Sequence, residues 1–188
     1  MRRIERADAA DLQSFLDVLA DASSRLHRRG IDQWPVRFDA SKVLPDIKAG
    51  HAFVVRDGGN IIATAILTPH GDRDFWTHAE LAQPAFYVAK VATLGGHTGI
   101  GAAVLDWCGR QAAREGADLL RLDAWRTNTR LHHYYVSQGF SHVRTVTLAH
   151  RNSGALFERP AKDITTDAMH QHQVTNDLPT EQEHTSLR

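Results

Sequence analysis

The chain predicts an α/β domain of the mixed, α+β kind, and three features carry that expectation. Asp57-Gly58-Gly59-Asn60 separates two runs of aliphatic and β-branched residues, and glycines there accept the positive φ of a tight hairpin turn. Residues 85–125 run strand, glycine-rich turn, helix, strand, as aromatic and β-branched density gives way to helical spacing and then returns. With 188 residues, 42% hydrophobic and 23% charged, the chain has the length of one domain and an average globular composition.

The elements follow in order. Leu12, Phe15, Leu16, Leu19, Ala22 and Leu26 recur at three- and four-residue spacing, which predicts a helix capped by Asp8 with Asp11 as the capping-box acid. Residues 28–35 break the pattern. A short second helix reaches Ala49 and stops at Gly50, with Val43, Leu44 and Ile47 inward and Pro45 limiting its regularity. Strands at 51–56 and 61–68 flank the hairpin turn, and the polar stretch 69–80 reads as a loop carrying Trp76. A strand at 85–93 leads through the glycine-rich turn into a long helix. Its apolar face is Ala103, Val104, Trp107, Cys108 and Ala112, and Gly116 ends it. A strand at 119–125, a helix at 129–137, and strands at 140–148 and 155–158 complete a domain of residues 1–160. Residues 161–188 are polar with scattered apolar anchors, a composition that predicts a tail.

Charge and cysteine content exclude several classes. Lys plus Arg and Asp plus Glu both total 22, so the chain lacks the basic excess that binds nucleic acid or an anionic membrane surface. No apolar run approaches the ~20 residues of a membrane span, and residues 1–6 lack the apolar stretch of a secretory signal. Cys108 is the only cysteine, which rules out an internal disulfide and a multi-cysteine zinc site. Its place inside a helix beside Trp107 suits packing rather than nucleophilic chemistry. His170 and His172 in the tail are two ligands at most, so no metal site is expected. A soluble protein of a reducing compartment, the cytoplasm, is the expectation.

The chemistry concentrates in Gly95-Gly96-His97-Thr98-Gly99-Ile100-Gly101, between a predicted strand and a predicted helix. Glycines let backbone approach a ligand closely, and a helix N-terminus offers unpaired N–H groups at a positive dipole end, so the turn suits a phosphate. The other reading of the turn alone is a glycine-rich bend without a ligand. It is not a Walker sequence, since no Gly-Lys-Ser/Thr follows. A dinucleotide-binding fold fits badly, because the preceding strand is third in order, after a hairpin.

Residues 86–140 resemble the core of the GNAT superfamily of N-acetyltransferases, and the likeness extends over roughly 3–159. Thr98-Gly99-Ile100-Gly101-Ala102 matches the end of that family's Q/R-x-x-G-x-G/A turn. The first position is Gly96 here, which removes a side chain and leaves the backbone amides. Downstream, Asn128-Thr129-Arg130-Leu131-His132-His133-Tyr134-Tyr135-Val136-Ser137-Gln138-Gly139-Phe140 is similar to N-x-x-A-x-x-L-Y-E-K-x-G-F. The resemblance implies a mixed, mostly antiparallel sheet of about seven strands flanked by helices, with two central parallel strands splayed around acetyl-CoA.

The same resemblance assigns roles. Val91, Ala92 and Thr93 would line the pantetheine arm, with the Val91 N–H near the thioester oxygen. Gly96, His97, Thr98, Gly99, Ile100, Gly101 and Ala102 would hold the pyrophosphate, and Asn128 would bond the pantetheine. Tyr135 would protonate the departing thiolate, with adjacent Tyr134 second in line. Glu80, His78, Asp123 and His133 are all candidates for the base. Trp34, Trp76, Tyr87 and Trp125 are candidates to line the acceptor pocket, or packing aromatics. Arg110, Arg114 and Arg130 would neutralise phosphates or lie on solvated helix faces. The implied activity is acetyl transfer from acetyl-CoA to an amine of a small molecule in a ternary complex. The alternatives are a protein or peptide acetyltransferase and an acyl-CoA sensor without turnover. The expected partner is the amine, with neither nucleic acid nor membrane, and a homodimer is an open arrangement.

Overall fold

Ala52–Asp57 and Asn60–Thr68, strands β2 and β3, are buried on both faces from Ala52 to Val55 and from Ile61 to Leu67. Such continuous apolar runs form central strands, because only a sheet covered on both sides removes every second residue from water as well. The computed structural model describes residues 1–162 and 177–178. The expected tail, with His170 and His172, otherwise lies outside the described residues.

The other strands are β1 (Arg2–Arg6), β4 (Ala85–Thr93), β5 (Leu119–Trp125), β6 (Ser141–Thr145) and β7 (Ser153–Pro160). They form one sheet in the order β6-β7-β5-β4-β3-β2-β1, and a two-residue strand, β8 (Asp177–Leu178), pairs with the β1 edge. Every pairing is antiparallel except β4 with β5. β1 was not among the sequence-predicted strands: Arg2-Arg3-Ile4-Glu5-Arg6 carries one apolar residue, and its pairing with β2 decides its conformation. The strand expected at 140–148 is shorter, because the chain turns back through a bridge between Leu148 and Arg151.

Helix α1 (Leu12–His27) begins as expected. The Asp8 side chain accepts from Ala10 N–H at 2.8 Å and the Asp11 side chain accepts from Asp8 N–H at 3.1 Å. α1 and α2 (Leu44–Lys48) cover one face of β1–β3, where Phe15, Val18, Leu19, Val43 and Ile47 meet Ala52, Val54, Ile61 and Ile66. α4 (Ile100–Arg114) and α5 (Thr129–Ser137) cover the opposite face with Val104, Leu105, Cys108 and Ala112 against Phe53, Ala65, Val88, Leu120 and Phe157. Cys108 is fully buried there, and desolvation pushes its thiol up to about 12, so it packs as a small apolar residue.

Two buried arginines knit the β5–β7 half. Arg121 donates to Glu158 Oε2 (3.0 Å), the Glu80 carbonyl (2.7 Å), the Tyr87 hydroxyl (3.3 Å) and Gln83 Oε1, with its guanidinium 4.7 Å from the Trp76 ring centre. Arg159 donates to the carbonyls of Gln138 (2.6 Å) and Leu105 (2.8 Å) and lies 3.2 Å from Asp106 Oδ1. Charges so placed are tolerated only because several acceptors replace water.

The segment expected as an open loop contains a short helix, α3 (His78–Leu81), whose first turn is a reciprocal capping box of Thr77 and Glu80. Glu80 also receives both Arg144 amino groups, at 2.6 and 2.7 Å, and the Arg144 bonds hold its carboxyl at about 2, well below its ordinary 4.5. A depressed carboxyl stabilises the fold fully above its ordinary value and loses that contribution as pH falls through the folded one. Glu80→Gln should therefore cost about 1–2 kcal/mol at pH 7, after allowing for solvent screening of a carboxylate that is 21% exposed. The deficit should shrink as pH is lowered from about 4.5 towards 2, and urea unfolding of both proteins across that range measures it.

Candidate functional site

The site begins where two neighbouring strands part. β4 and β5 pair only from Ala85↔Leu119 to Val88↔Leu122; beyond that point β4 continues along β3 and β5 along β7. On β4 the cause is a bulge: Thr64 faces Ala92 and Ile66 faces Ala89, so Ala65 alone stands opposite Lys90 and Val91. Lys90 adopts a φ of 51°, costly for an L residue with a side chain, and the buried Thr64 hydroxyl donates to its carbonyl at 2.9 Å. β5 has its own irregularity against β7 between Ala124 and Trp125. Residues 89–93 and 123–125 thus border an opening whose facing edges lack strand partners among the described residues.

At the head of the opening β4 runs into the glycine-rich turn. α1 holds this junction through Asp21 and Arg25, an ion pair one turn apart: Asp21 Oδ2 accepts from Gly95 N–H at 3.1 Å, and Arg25 donates to the Thr93 carbonyl. Gly96 and Gly99 have φ of 85° and 76°, and a Cβ added at either would project into open space. Gly99 is the N-cap of α4 and, among the described residues, no side chain caps it, so the backbone N–H groups of its first turn have no cap bond there. A concave backbone of left-handed glycines ending on an uncapped helix suits a phosphate, and the neighbouring opening suits a narrow chain attached to one. The residues therefore fit an acyl-CoA.

α5 closes the other side. Asn128 is its N-cap: Oδ1 accepts from Leu131 N–H at 3.0 Å, and Nδ2 donates to Gln33 Oε1 at 2.6 Å. Nearly two turns on, Tyr134 lies against α4, its hydroxyl 3.0 Å from where a Cβ on Gly101 would sit. Tyr135 turns instead towards the sheet, its ring 5.7 Å from Phe140 and 5.8 Å from Phe157. Burial pushes both phenols up, Tyr134 to about 12, so both stay protonated at neutral pH. The Tyr135 hydroxyl has no hydrogen-bond partner among the described residues. Asp123, the first β5 residue beyond the paired stretch, is raised by desolvation, with the nearby Ser153 hydroxyl and Arg151 opposing, and its charge acts on Tyr135.

The structure brings Val91, Ala92, Thr93, the 96–102 turn, Asn128, Tyr135 and Trp125 around one opening. It moves others away. Trp76 and Tyr87 are 3% and 8% exposed and pack with Phe75, Ala85 and Leu156, Tyr87 beside Arg121 in the still-paired half, so neither lines an acceptor pocket. Glu80 is bound up with Arg144 and Thr77 and is no base. His78 on α3, Arg114 on α4, and Arg130 and His133 on α5 are exposed. His132 is structural, its Nε2 2.8 Å from the Trp125 carbonyl. Trp34 stands on the α1–α2 loop, edge-on to Phe38. A cavity of about 390 Å³ lies between that loop and α5, lined by Gly30, Ile31, Asp32, Trp125, Thr127 and Asn128 among others. A wider depression of about 600 Å³ between α1 and the β2–β3 turn reaches only His97 and Leu94 at the near end. Gln33 escaped the sequence reading, since a glutamine in a polar loop carries no local signal.

Comparison with known proteins agrees with this geometry. Residues 15–140 match the model of the acetyltransferase (GNAT) family. An acetyltransferase of the GNAT family from Listeria monocytogenes superposes with a TM-score of 0.69 at 16% identity, covering 85% of this chain and 94% of that one. For yncA of Salmonella typhimurium, solved with its cofactor acetyl-CoA, the values are 0.61 and 16%, with 88% and 96% covered. For the ribosomal-protein-S18-alanine N-acetyltransferase of Escherichia coli they are 0.61 and 14%, with 92% and 100% covered. No curated protein matches the chain in sequence.

The contact between Gly101 and Tyr134 makes a separable prediction. Alanine in place of a helical glycine should stabilise by up to about 1 kcal/mol, yet here its methyl meets the Tyr134 hydroxyl. Gly101→Ala should accordingly be more favourable in a Tyr134→Phe background than in the wild type, by ~0.5–1 kcal/mol in a double-mutant cycle of thermal or urea unfolding.

Proposed function

We propose, from the premise that the chain belongs to the acetyltransferase (GNAT) family, that it carries acetyl from acetyl-CoA to the amine of a small molecule. The observation that carries this reading is the opening between β4 and β5, with the uncapped N-terminus of α4 at its head and Asn128 and Tyr135 on its flank. The 390 Å³ cavity beside Trp125 supports a small acceptor, falling within the ~300–1,000 Å³ of small-molecule sites.

The backbone amides of residues 96–102 hold the pyrophosphate, while Val91, Ala92 and Thr93 with Asn128 hold the pantetheine. Acetyl-CoA supplies an activated acyl group as a thioester. The Val91 N–H, next to the bulged Lys90, stabilises charge developing on the acyl oxygen. Asp123 removes the proton from the incoming ammonium, directly or through water, so that the amine nitrogen bonds to the acyl carbon as the carbon–sulfur bond breaks. Its raised pKa makes it a better proton acceptor than a solvated aspartate. Tyr135, held as a neutral phenol, gives its proton to the departing thiolate, and the second proton shed by the nitrogen as it becomes an amide restores the phenol. Trp125 borders the acceptor, whereas Trp34 packs against the α1-side core outside the cavity lining. Residues 1–160 carry the catalytic domain.

Thiol release from acetyl-CoA against a panel of small amines and basic peptides tests the activity and its acceptor class. Binding of acetyl-CoA without turnover on any acceptor would make the protein a sensor instead. Tyr135→Phe should reduce kcat by about 10²–10⁴-fold with acetyl-CoA affinity retained by calorimetry. In the wild type, kcat/KM should fall as pH drops through the raised Asp123 value, because only the ionised carboxylate accepts a proton. Asp123→Asn should remove that acid limb along with most of the rate, and an unchanged limb would assign the base elsewhere.

A further inference from the structure

The α1–α2 connection is largely exposed, with Val36 at 69%, yet Gln33 within it is 8% exposed and reaches across to α5. Its Oε1 accepts from Asn128 Nδ2 at 2.6 Å. Asn128 caps α5 through Oδ1 in the same orientation that turns its amide nitrogen to Gln33, so the cap and the Gln33 bond favour one rotamer together. On the other side the loop is tied to α1. The fully buried Ser23 hydroxyl lies 2.8 Å from the Pro35 carbonyl and 3.2 Å from that of Trp34, which also lies 2.8 Å from His27 Nε2. One peptide link therefore separates a carbonyl anchored on α1 from a side chain anchored on α5. The cavity of about 390 Å³ has Gly30, Ile31 and Asp32 of this loop as one wall and Trp125, Thr127 and Asn128 as the other. The Gln33–Asn128 bond joins the two walls.

We propose that Gln33 is a positioning residue that couples the α1–α2 loop, as one wall of the acceptor chamber, to occupancy of the pantetheine slot through Asn128. The inference rests on the reading of Asn128 as a cofactor-binding residue. An amide nitrogen has two hydrogens: Gln33 takes one, and the other remains for a carbonyl of the bound chain with Asn128 in the same orientation. A ligand and a loop that favour one orientation of a shared side chain favour each other, by the same factor in both directions. A buried neutral hydrogen bond contributes enough for that factor to be about three- to tenfold.

The experiment uses the full chain and its Gln33→Leu and Gln33→Glu variants, the second retaining an acceptor oxygen. CoA affinity is measured by calorimetry, amide exchange over residues 28–39 with and without saturating CoA, and steady-state kinetics on the best amine. CoA should slow exchange of the loop about three- to tenfold in the wild type and in Gln33→Glu, and not in Gln33→Leu. The leucine variant should bind CoA about three- to tenfold more weakly and show a raised KM for the amine with kcat retained. Equal protection of the loop in Gln33→Leu, or an unprotected loop in a wild type that binds CoA, would overturn the coupling while leaving the cofactor reading intact. A wild type that takes up no CoA would overturn both.

Discussion

The site depends on one local distortion, the bulge that turns β4 away from β5. A parallel pair otherwise continues until one strand ends, and here it stops after Val88 and Leu122 although both strands run on. Lys90 in the left-handed region costs on the order of 1–2 kcal/mol. The Thr64 hydroxyl bonded to its carbonyl and the resumed pairing of Ala92 and Thr93 with β3 offset that strain. A regular β4 would pair with Asp123 to Trp125 and fill the space that the acyl group needs. The distortion is thus the origin of the opening, and the remaining elements decide what it holds.

Four connections turn that opening into a site with fixed edges. α1 grips the β4 end through Asp21 and Arg25, which places Gly95 and the turn relative to Thr93. α4 starts on Gly99 with no side-chain cap among the described residues, and Tyr134 in the second half of α5 rests on its first turn at Gly101, so α5 packs directly on the start of α4. Arg159 and Asp106 bind β7 to α4 inside the core, while Arg121 ties β5 to the α3 segment through the Glu80 backbone carbonyl. For the buried Arg159–Asp106 pair, removing one partner would leave an uncompensated charge.

Much of this was legible in the residue order, because the informative signals are local. Helical spacing in Leu12–His27, the Asp8–Asp11 capping box, the hairpin glycines and the glycine-rich turn before α4 each depend on neighbours within a few residues. What was not legible depends on partners far along the chain. β1 is a strand because β2 pairs with it, and Trp76 is core because Tyr87 and Arg121 close over it. Glu80 loses its basicity to Arg144, and Gln33 finds Asn128 across 95 positions. Asp123 stands apart from the other base candidates only when the register shows that strand pairing ends one residue before it.

The central claim, that the β4–β5 opening and the turn above it take up acetyl-CoA, is tested most directly by amide NMR of the full chain titrated with acetyl-CoA. Saturating shifts should appear at Val91, Ala92 and Thr93, through Gly96 to Ala102, and at Asn128 and Leu131, all with one dissociation constant. Shifts confined to the 600 Å³ depression at Ser14, Asp17 and Asn60, with Val91 and Gly99 to Ala102 unmoved at saturation, would contradict it.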